Sequence, residues 1–397
     1  MDTDIGRRVR EIRSWRRMSL RATAELAGVT YGYLGQIERG EKPVTKRQVL
    51  ESLAHALRIS PTELTGKPYR PADAADAETL TSMSLLNDVL TGWWVGEVPD
   101  GPVRDWREVT EDFDRLNTEF RPASDYAAQA AMLPGLVREL LVYASDPTRG
   151  RDALVALVQA YHAAGAVAQR LGIAGPPTVA VERMRSAAEQ LGDPVWVATA
   201  AWSRAHLLSS SNRPRQYALA VEVVDTAPAE RPETRGMAHL TAAMAAASRG
   251  DGDLARTHLG EAAGLAEEIE ADVSDWPASM MAFGRTNVAI WKTSIGVELG
   301  EGAGVVRYAK GLRLESITTS RQAGYWVDYG RALITERRTR EEGIAAMLRA
   351  ERLAPQQIRN NTFARDAIGG LLGVARRDAG GRDLRGLAWR MGIGPMG

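Results

Sequence analysis

Between residues 179 and 355 one pattern returns: an amphipathic run, a short turn carrying Gly, Asp or Pro, and a second amphipathic run. "VAVERMRSAAEQLGDPVWVATAAWSRAHLLSS" is followed by "RPRQYALAVEVVDTAPAE" and then by "TRGMAHLTAAMAAASRGDGDLARTHLGEAAGLAEEI". "TNVAIWKTSIGVELGEGAGVVRYAKGL" and "AGYWVDYGRALITERRTREEGIAAMLRAERLAP" continue it. The units recur roughly every 40–50 residues, the period of stacked helical repeats. No stretch sustains the two-residue alternation of a half-buried strand, and β-branched runs stay short. A helix pair cannot bury both its faces alone, so successive pairs must stack. The pattern predicts an all-α chain whose larger part is an α-solenoid of helical hairpins. A single multi-helix globular domain is the competing arrangement. At 397 residues the chain exceeds one ordinary domain, and at least two units are expected.

The residue inventory excludes much chemistry. There is no cysteine, which removes disulfides and thiolate catalysis and fits a cytosolic location. The five histidines, at 55, 162, 206, 239 and 258, show no metal-ligand spacing. "GEGAGVV" at 300–306 has no preceding strand and no following Lys-Ser/Thr, so it reads as an inter-helix turn and not a phosphate loop. No Gly-x-Ser-x-Gly elbow occurs. No catalytic residue, metal or cofactor is predicted, and the chain is not expected to be an enzyme. The first residues, "MDTDIGRRVREIRSWRRM", are charged throughout, and no apolar run reaches the length of a signal-peptide core or a membrane span. A sequon-like "NNT" at 360–362 has meaning only in an exported protein.

Charge is balanced overall, with 50 basic and 50 acidic residues, but unevenly placed. Residues 1–70 hold 14 Lys and Arg against 8 Asp and Glu, whereas the remainder holds 36 against 42. A basic head on an acidic body suits a head that meets a polyanion. Within it, Ile5, Val9 and Ile12 form a helical stripe that Trp15 and Met18 extend. Ser19 is placed to cap a second helix, Gly28 to follow it, and Thr30 to cap a third running from Tyr31 to Arg39 and ended by Gly40. Thr45 is placed to cap a fourth helix, and Ser60-Pro61 to open a short fifth. A helix, a tight turn and a second capped helix is the helix-turn-helix pattern. On the third helix Leu34 and Ile37 face the core. Tyr31, Gly32, Gly35, Gln36 and Arg39 occupy the remaining faces, where Gln suits adenine and Arg suits guanine or phosphate.

The run "MSLRATAELAGVTYGYLGQIERGEKPVTKRQVLESLAHALRISPTELTG" resembles the phage-repressor-type (Xre) helix-turn-helix family over about residues 5–66. The resemblance implies that Tyr31, Gly32 and Gln36, with Arg39, contact bases. Lys42, Thr45, Lys46 and Arg47 are implied to contact phosphates, and Glu38 to pair with the first helix. A phosphate-holding Gln usual in the second helix is replaced here by Leu20 and Arg21, so Arg21 stands in as a charge.

Residues 67–78, "KPYRPADAADAE", read as a linker, dividing the chain into a head at 1–66 and a body at 79–397. "GDGDLARTHLGEA" and "LRAERLAP" resemble tetratricopeptide repeats, and the whole is similar to long Xre-type regulators of actinobacterial type and, more distantly, to peptide-pheromone receptors. That resemblance implies an effector, a peptide or small molecule, bound by the body. Trp202 with His206, Arg285 with Asn287 and Trp291, and Trp326 with Tyr329 are the candidate pocket residues, since aromatics and directed polar groups at helical spacing can line a groove. The expected protein is a transcription regulator, with repressor the favoured sign. It would bind a double-stranded DNA operator as a homodimer in the cytoplasm, at the nucleoid, without a membrane. The alternative is an interaction scaffold with a vestigial head. The C-terminal "RDLRGLAWRMGIG" is amphipathic and suits docking on the body or on a second subunit.

Overall fold

The computed structural model describes residues 5–59, 64, 74–207, 212–278, 280–309, 311–375 and 382–393. Every regular element among them is helical. The head contributes α1 (Ile5–Trp15), α2 (Leu20–Leu26), α3 (Tyr31–Glu38) and α4 (Arg47–Ala56). Local chemistry sets most of these boundaries. Ser19 Oγ accepts from the Ala22 N–H at 3.1 Å and Thr30 Oγ1 from the Tyr33 N–H at 3.2 Å, as their side-chain types predict. Gly28 and Gly40 turn the chain at φ +63° and +68°, where a Cβ would be strained. Ile5, Val9, Leu34, Ile37, Leu50, Leu53 and Leu57 form the head's core.

Three head features differ from expectation. Trp15, the last residue of α1, is 79% exposed, because the helix has run past the edge of the core it covers. Gly35 is buried and not on a free face: a Cβ there would lie 3.1 Å from Arg39 Nη1 and 3.6 Å from Leu20 Cδ2. Thr45 does not cap α4. That helix starts at Arg47, with Lys46 at the cap position and no side-chain cap bond. The expected fifth helix lies outside the described residues except for Leu64, which is fully buried. So do residues 67–73 of the expected linker, whereas 74–78 begin the next helix.

The body runs through α5 (Ala74–Gly92), α6 (Trp106–Arg115), α7 (Tyr126–Tyr143), α8 (Gly150–Arg170), α9 (Pro176–Leu191) and α10 (Pro194–Leu207). It continues through α11 (Arg213–Thr226), α12 (Pro232–Ala247), α13 (Gly252–Glu267), α14 (Arg285–Leu299), α15 (Thr319–Leu333) and α16 (Arg340–Leu353). After a five-residue turn of helix, α17 (Thr362–Ala375) and α18 (Arg382–Arg390) close the chain. From α8 to α14 each helix packs on the next, and the alternate helices α8, α10, α12 and α14 also touch in succession. That is a solenoid of hairpins with one shared layer. Small residues permit the close crossings: on α12, Gly236 leaves room for the Phe283 ring, and all but two residues of the helix are buried. The α18 helix docks on the body, where Arg390 bonds Glu351 twice at 3.0 Å and Leu387 is buried.

Head and body are packed together. Glu298, at the end of α14, accepts the Arg47 N–H at 2.6 Å, satisfying a free donor at the start of α4 with a carboxylate favoured at a helix N-terminus. The Val44 N–H donates to Asp366 of α17. Glu51 of α4 receives Arg213 of α11 through two nitrogens, at 2.7 and 3.0 Å. Phe363 packs on the head core, with Arg47 5.6 Å from its ring centroid.

Candidate DNA-binding face and interior ligand site

The α3 helix is fixed from behind. Glu38 is buried and takes both Nε and Nη2 of Arg13 on α1, at 2.6 and 2.9 Å, so it pairs with the first helix as the motif implied. Its outer side carries Tyr31, 61% exposed, with Gly32 exposed beside it and Gln36 half-buried. Arg39 is exposed but held by Glu41 through two bonds, 2.7 and 2.9 Å, so base contact would first require exchange of an exposed ion pair of small net worth.

The predicted phosphate contacts fall into two groups. Arg21 is exposed, its Nε 3.6 Å from Glu25, and Lys42 is exposed with its ammonium 5.7 Å from the Tyr33 ring. Thr45, Lys46 and Arg47 instead lie at the seam with the body, all half-buried. Lys46 Nζ sits against Gly300, and Arg47 approaches Glu298 with its side chain at 3.7 Å as well as its N–H. Glu298 is itself part of a buried set: it receives Arg331 at 3.3 Å, and Arg331 bonds Asp328 at 2.6 Å. The resemblance implied phosphate contacts for these residues, but the acids that meet this edge of the head come from positions about 250 and more residues away.

The seven candidate effector residues separate into three places. Trp202, His206 and Trp291 come together: the Trp202 and His206 rings stack at 5.3 Å, and His206 lies 5.9 Å from Trp291. Arg285 is tied to the loop before α14, donating to the carbonyls of Ile269 at 2.8 Å and Glu270 at 3.0 Å and pairing with Asp272. Asn287 is fully buried, with its amide 3.4 Å from the Met281 carbonyl, so it braces that loop. Trp326 and Tyr329 form another cluster with Tyr325, where Arg349 covers Trp326 at 4.2 Å and the Tyr329 hydroxyl donates to Glu342.

Around the first group the packing adds residues that the sequence reading did not place there, Arg321 being noted in sequence only near the start of the helix of Trp326 and Tyr329. His162 of α8 stacks on Trp202 at 5.6 Å and bonds Ser203 at 2.9 Å. Arg321 of α15 lies 5.7 Å from the Trp291 ring. Arg121 follows a π-helical turn, Leu116–Phe120, and bonds Asn117. Burial pushes His206 and His162 well below the usual imidazole range, and the positive fields of Arg321 and Arg170 add to it in both. The chain signalled the four-residue spacing of Trp202 and His206 and, separately, Trp291, but not that they meet, because Trp291, His162 and Arg321 lie on other helices.

Among the described residues, no helix is long and apolar enough to cross a membrane, and no group of three or more His, Cys, Asp or Glu could hold a metal ion. No similar protein of curated function and no similar solved structure was found. Residues 4–65 match the family model of a helix-turn-helix domain, so the chain carries at its N-terminal end the kind of head with which regulators bind DNA.

Proposed function

We propose that this protein is a sequence-specific transcription regulator of Xre type, whose tetratricopeptide-like body dimerises, binds an effector and controls access to part of the DNA-binding face. The observation that carries this reading is the division of the basic set. Arg21 and Lys42 are exposed, with Tyr31 exposed and Gln36 half-buried on α3, while Lys46 and Arg47 are held against Gly300 and Glu298. A head docked in this way has its base-reading side free and part of its phosphate-binding edge engaged. Undocking would return that edge to DNA, and an effector preferring one arrangement would shift operator affinity by its differential affinity for the two. Two heads are needed to read two half-sites with useful selectivity over a genome, which supports a homodimer. Repression is the favoured sign, the cytoplasm the favoured location, and the body is proposed to sense rather than catalyse.

The test is selection of duplex DNA from a random pool by the purified protein, followed by affinity against salt. Enrichment of a paired site, with log affinity falling steeply against log salt, is the expected result. Binding to no duplex in any arrangement of head and body would sink the reading and favour an interaction scaffold.

A further inference from the structure

The four helices α1 to α4 of the head end in one hydrogen-bond pattern. The N–H of the turning residue reaches back to the carbonyl three before it, and the next N–H to the carbonyl five before it. Arg17 donates to Ser14 and Met18 to Arg13, both at 3.0 Å, and Gly28 donates to Glu25 at 3.2 Å and Val29 to Ala24 at 3.0 Å. Gly40 donates to Ile37 at 2.9 Å and Glu41 to Gln36 at 2.8 Å, while Arg58 donates to His55 at 2.9 Å and Ile59 to Ala54 at 3.0 Å. The pattern puts the turning residue in the left-handed region, at φ +55°, +63°, +68° and +49° for Arg17, Gly28, Gly40 and Arg58. Glycine enters that region freely, and a residue with a Cβ does so against steric resistance. The α2 and α3 helices use glycine there, whereas α1 and α4 use arginine. A cation near a helix C-terminus is favoured by the helix dipole, but Arg13 and His55 already stand in the last turns of α1 and α4. The backbone therefore gives no reason for Arg17 and Arg58, and both side chains are exposed.

The two arginines share one corner of the head. Arg16, next to Arg17, donates from Nη2 to the Arg58 carbonyl at 3.1 Å. Arg13 ties this corner to α3, because its Nη1 donates to the Met18 carbonyl at 2.8 Å while Nε and Nη2 hold Glu38. Leu20, at the start of α2, packs under α3, 3.6 Å from where a Cβ on Gly35 would lie, and exposed Arg21 follows it. Residues 12–24 hold four arginines and no Asp or Glu. Among the described residues neither Arg17 nor Arg58 has a carboxylate within ion-pair distance. Trp15 beside them is 79% exposed, so the docked body leaves the corner open, in contrast to Lys46 and Arg47 at the seam. We propose that this corner is a second phosphate-binding surface, on which Arg17 and Arg58 take phosphates of the duplex flanking the bases that α3 meets. The inference rests on the DNA-binding reading of the head and deepens it. Duplex DNA fits better than an acidic protein segment because the corner is fixed to α3, and a duplex lying against α3 continues past it as a regular row of phosphates. Such contacts position the protein without reading sequence. They are open to a docked head, and release of the seam would add Lys46 and Arg47 to them.

The test compares the full-length parent with Arg17→Gly, Arg58→Gly, the double variant and Arg17→Lys. Glycine suits both backbone positions, so melting temperatures should equal the parent's or exceed it. Affinity is read by fluorescence anisotropy across a salt series, on the selected site and on a random duplex. Each glycine variant should weaken both duplexes by the same factor and make log affinity against log salt shallower by about 0.9, and the double variant by about 1.8. Arg17→Lys, which keeps the charge, should restore the parental slope. Trimming the duplex to the selected bases should erase the difference between parent and variants. A parental slope in both glycine variants would overturn the proposal and leave the corner to an acidic protein segment. A loss confined to the selected site, or a clear fall in melting temperature, would overturn it in favour of base reading or of a structural role. A parent that binds no duplex overturns the DNA-binding reading as well, whereas a binding parent with unaffected variants overturns the corner alone.

Discussion

Gln36 stands on α3 between Leu34 and Ile37, which are buried, and the side chain that remains is the one a base edge could meet. Gln36→Ala should reduce discrimination between the selected site and a one-base variant by about 1–3 kcal/mol while leaving non-specific affinity intact, measured by competition binding. Equal discrimination by the mutant would move base reading to Tyr31 or Arg39. The rigidity behind this face comes from Glu38, whose two bonds to Arg13 join α3 to α1. Removing the carboxylate leaves a largely buried guanidinium, so Glu38→Ala should cost about 3 kcal/mol in thermal or urea unfolding, far more than loss of the exposed Arg39–Glu41 pair. Which side chains share a face was legible in sequence because spacing on one short helix fixes it, while the pairing of Glu38 with the first helix was implied by the family resemblance.

Within elements, the α12 helix shows how composition becomes packing. Its Ala and Gly positions allow neighbours on both sides, and Gly236 admits Phe283, which is itself fully buried and cannot withdraw. Gly236→Ala should therefore destabilise by about 1–3 kcal/mol even though alanine is the better helix former, a sign that unfolding measurements can read directly. The same layer contains a histidine pair, His239 Nδ1 to His258 Nδ1 at 2.9 Å, with the Tyr217 hydroxyl on the other His258 nitrogen. Burial first, then the His258 charge, pushes His239 down from 6.5 to about 4, with Glu261 and Asp225 opposing and Arg235 adding to the shift. A lowered histidine pKa means the unfolded chain binds the extra proton first. Stability is thus full above about pH 6.5 and falls as pH is lowered towards 4. Melting temperature against pH should show this loss, and His239→Gln should flatten it; an unchanged slope would assign the acid sensitivity to His162 and His206.

Across the whole molecule, the seam between head and body sets which basic residues are available. Arg213 and Asp366 hold α4 and the strand of chain before it without belonging to the proposed DNA face. Replacing both by alanine should loosen the docking and raise affinity for non-specific duplex about tenfold, equivalent to about 1.4 kcal/mol, with a steeper salt dependence as Lys46 and Arg47 join the contacts. Unchanged affinity and slope would show that the seam does not limit DNA binding.

The division between what the sequence determined and what the tertiary structure decided follows from the range of each interaction. Helical period, the Ser19 and Thr30 caps, the glycine turns and the recurring hairpins act within a few residues, so the all-α architecture and the helix-turn-helix head were readable directly. Thr45 failed as a cap because Glu298, some 250 residues away, reached the helix first. Asn287 and Arg285 were spent on their own loop, and Arg321 was brought to Trp291 from another hairpin. No periodicity encodes which distant charge arrives at a given helix end. Only the packed chain decides that, because a buried charge takes whatever partner the fold places beside it.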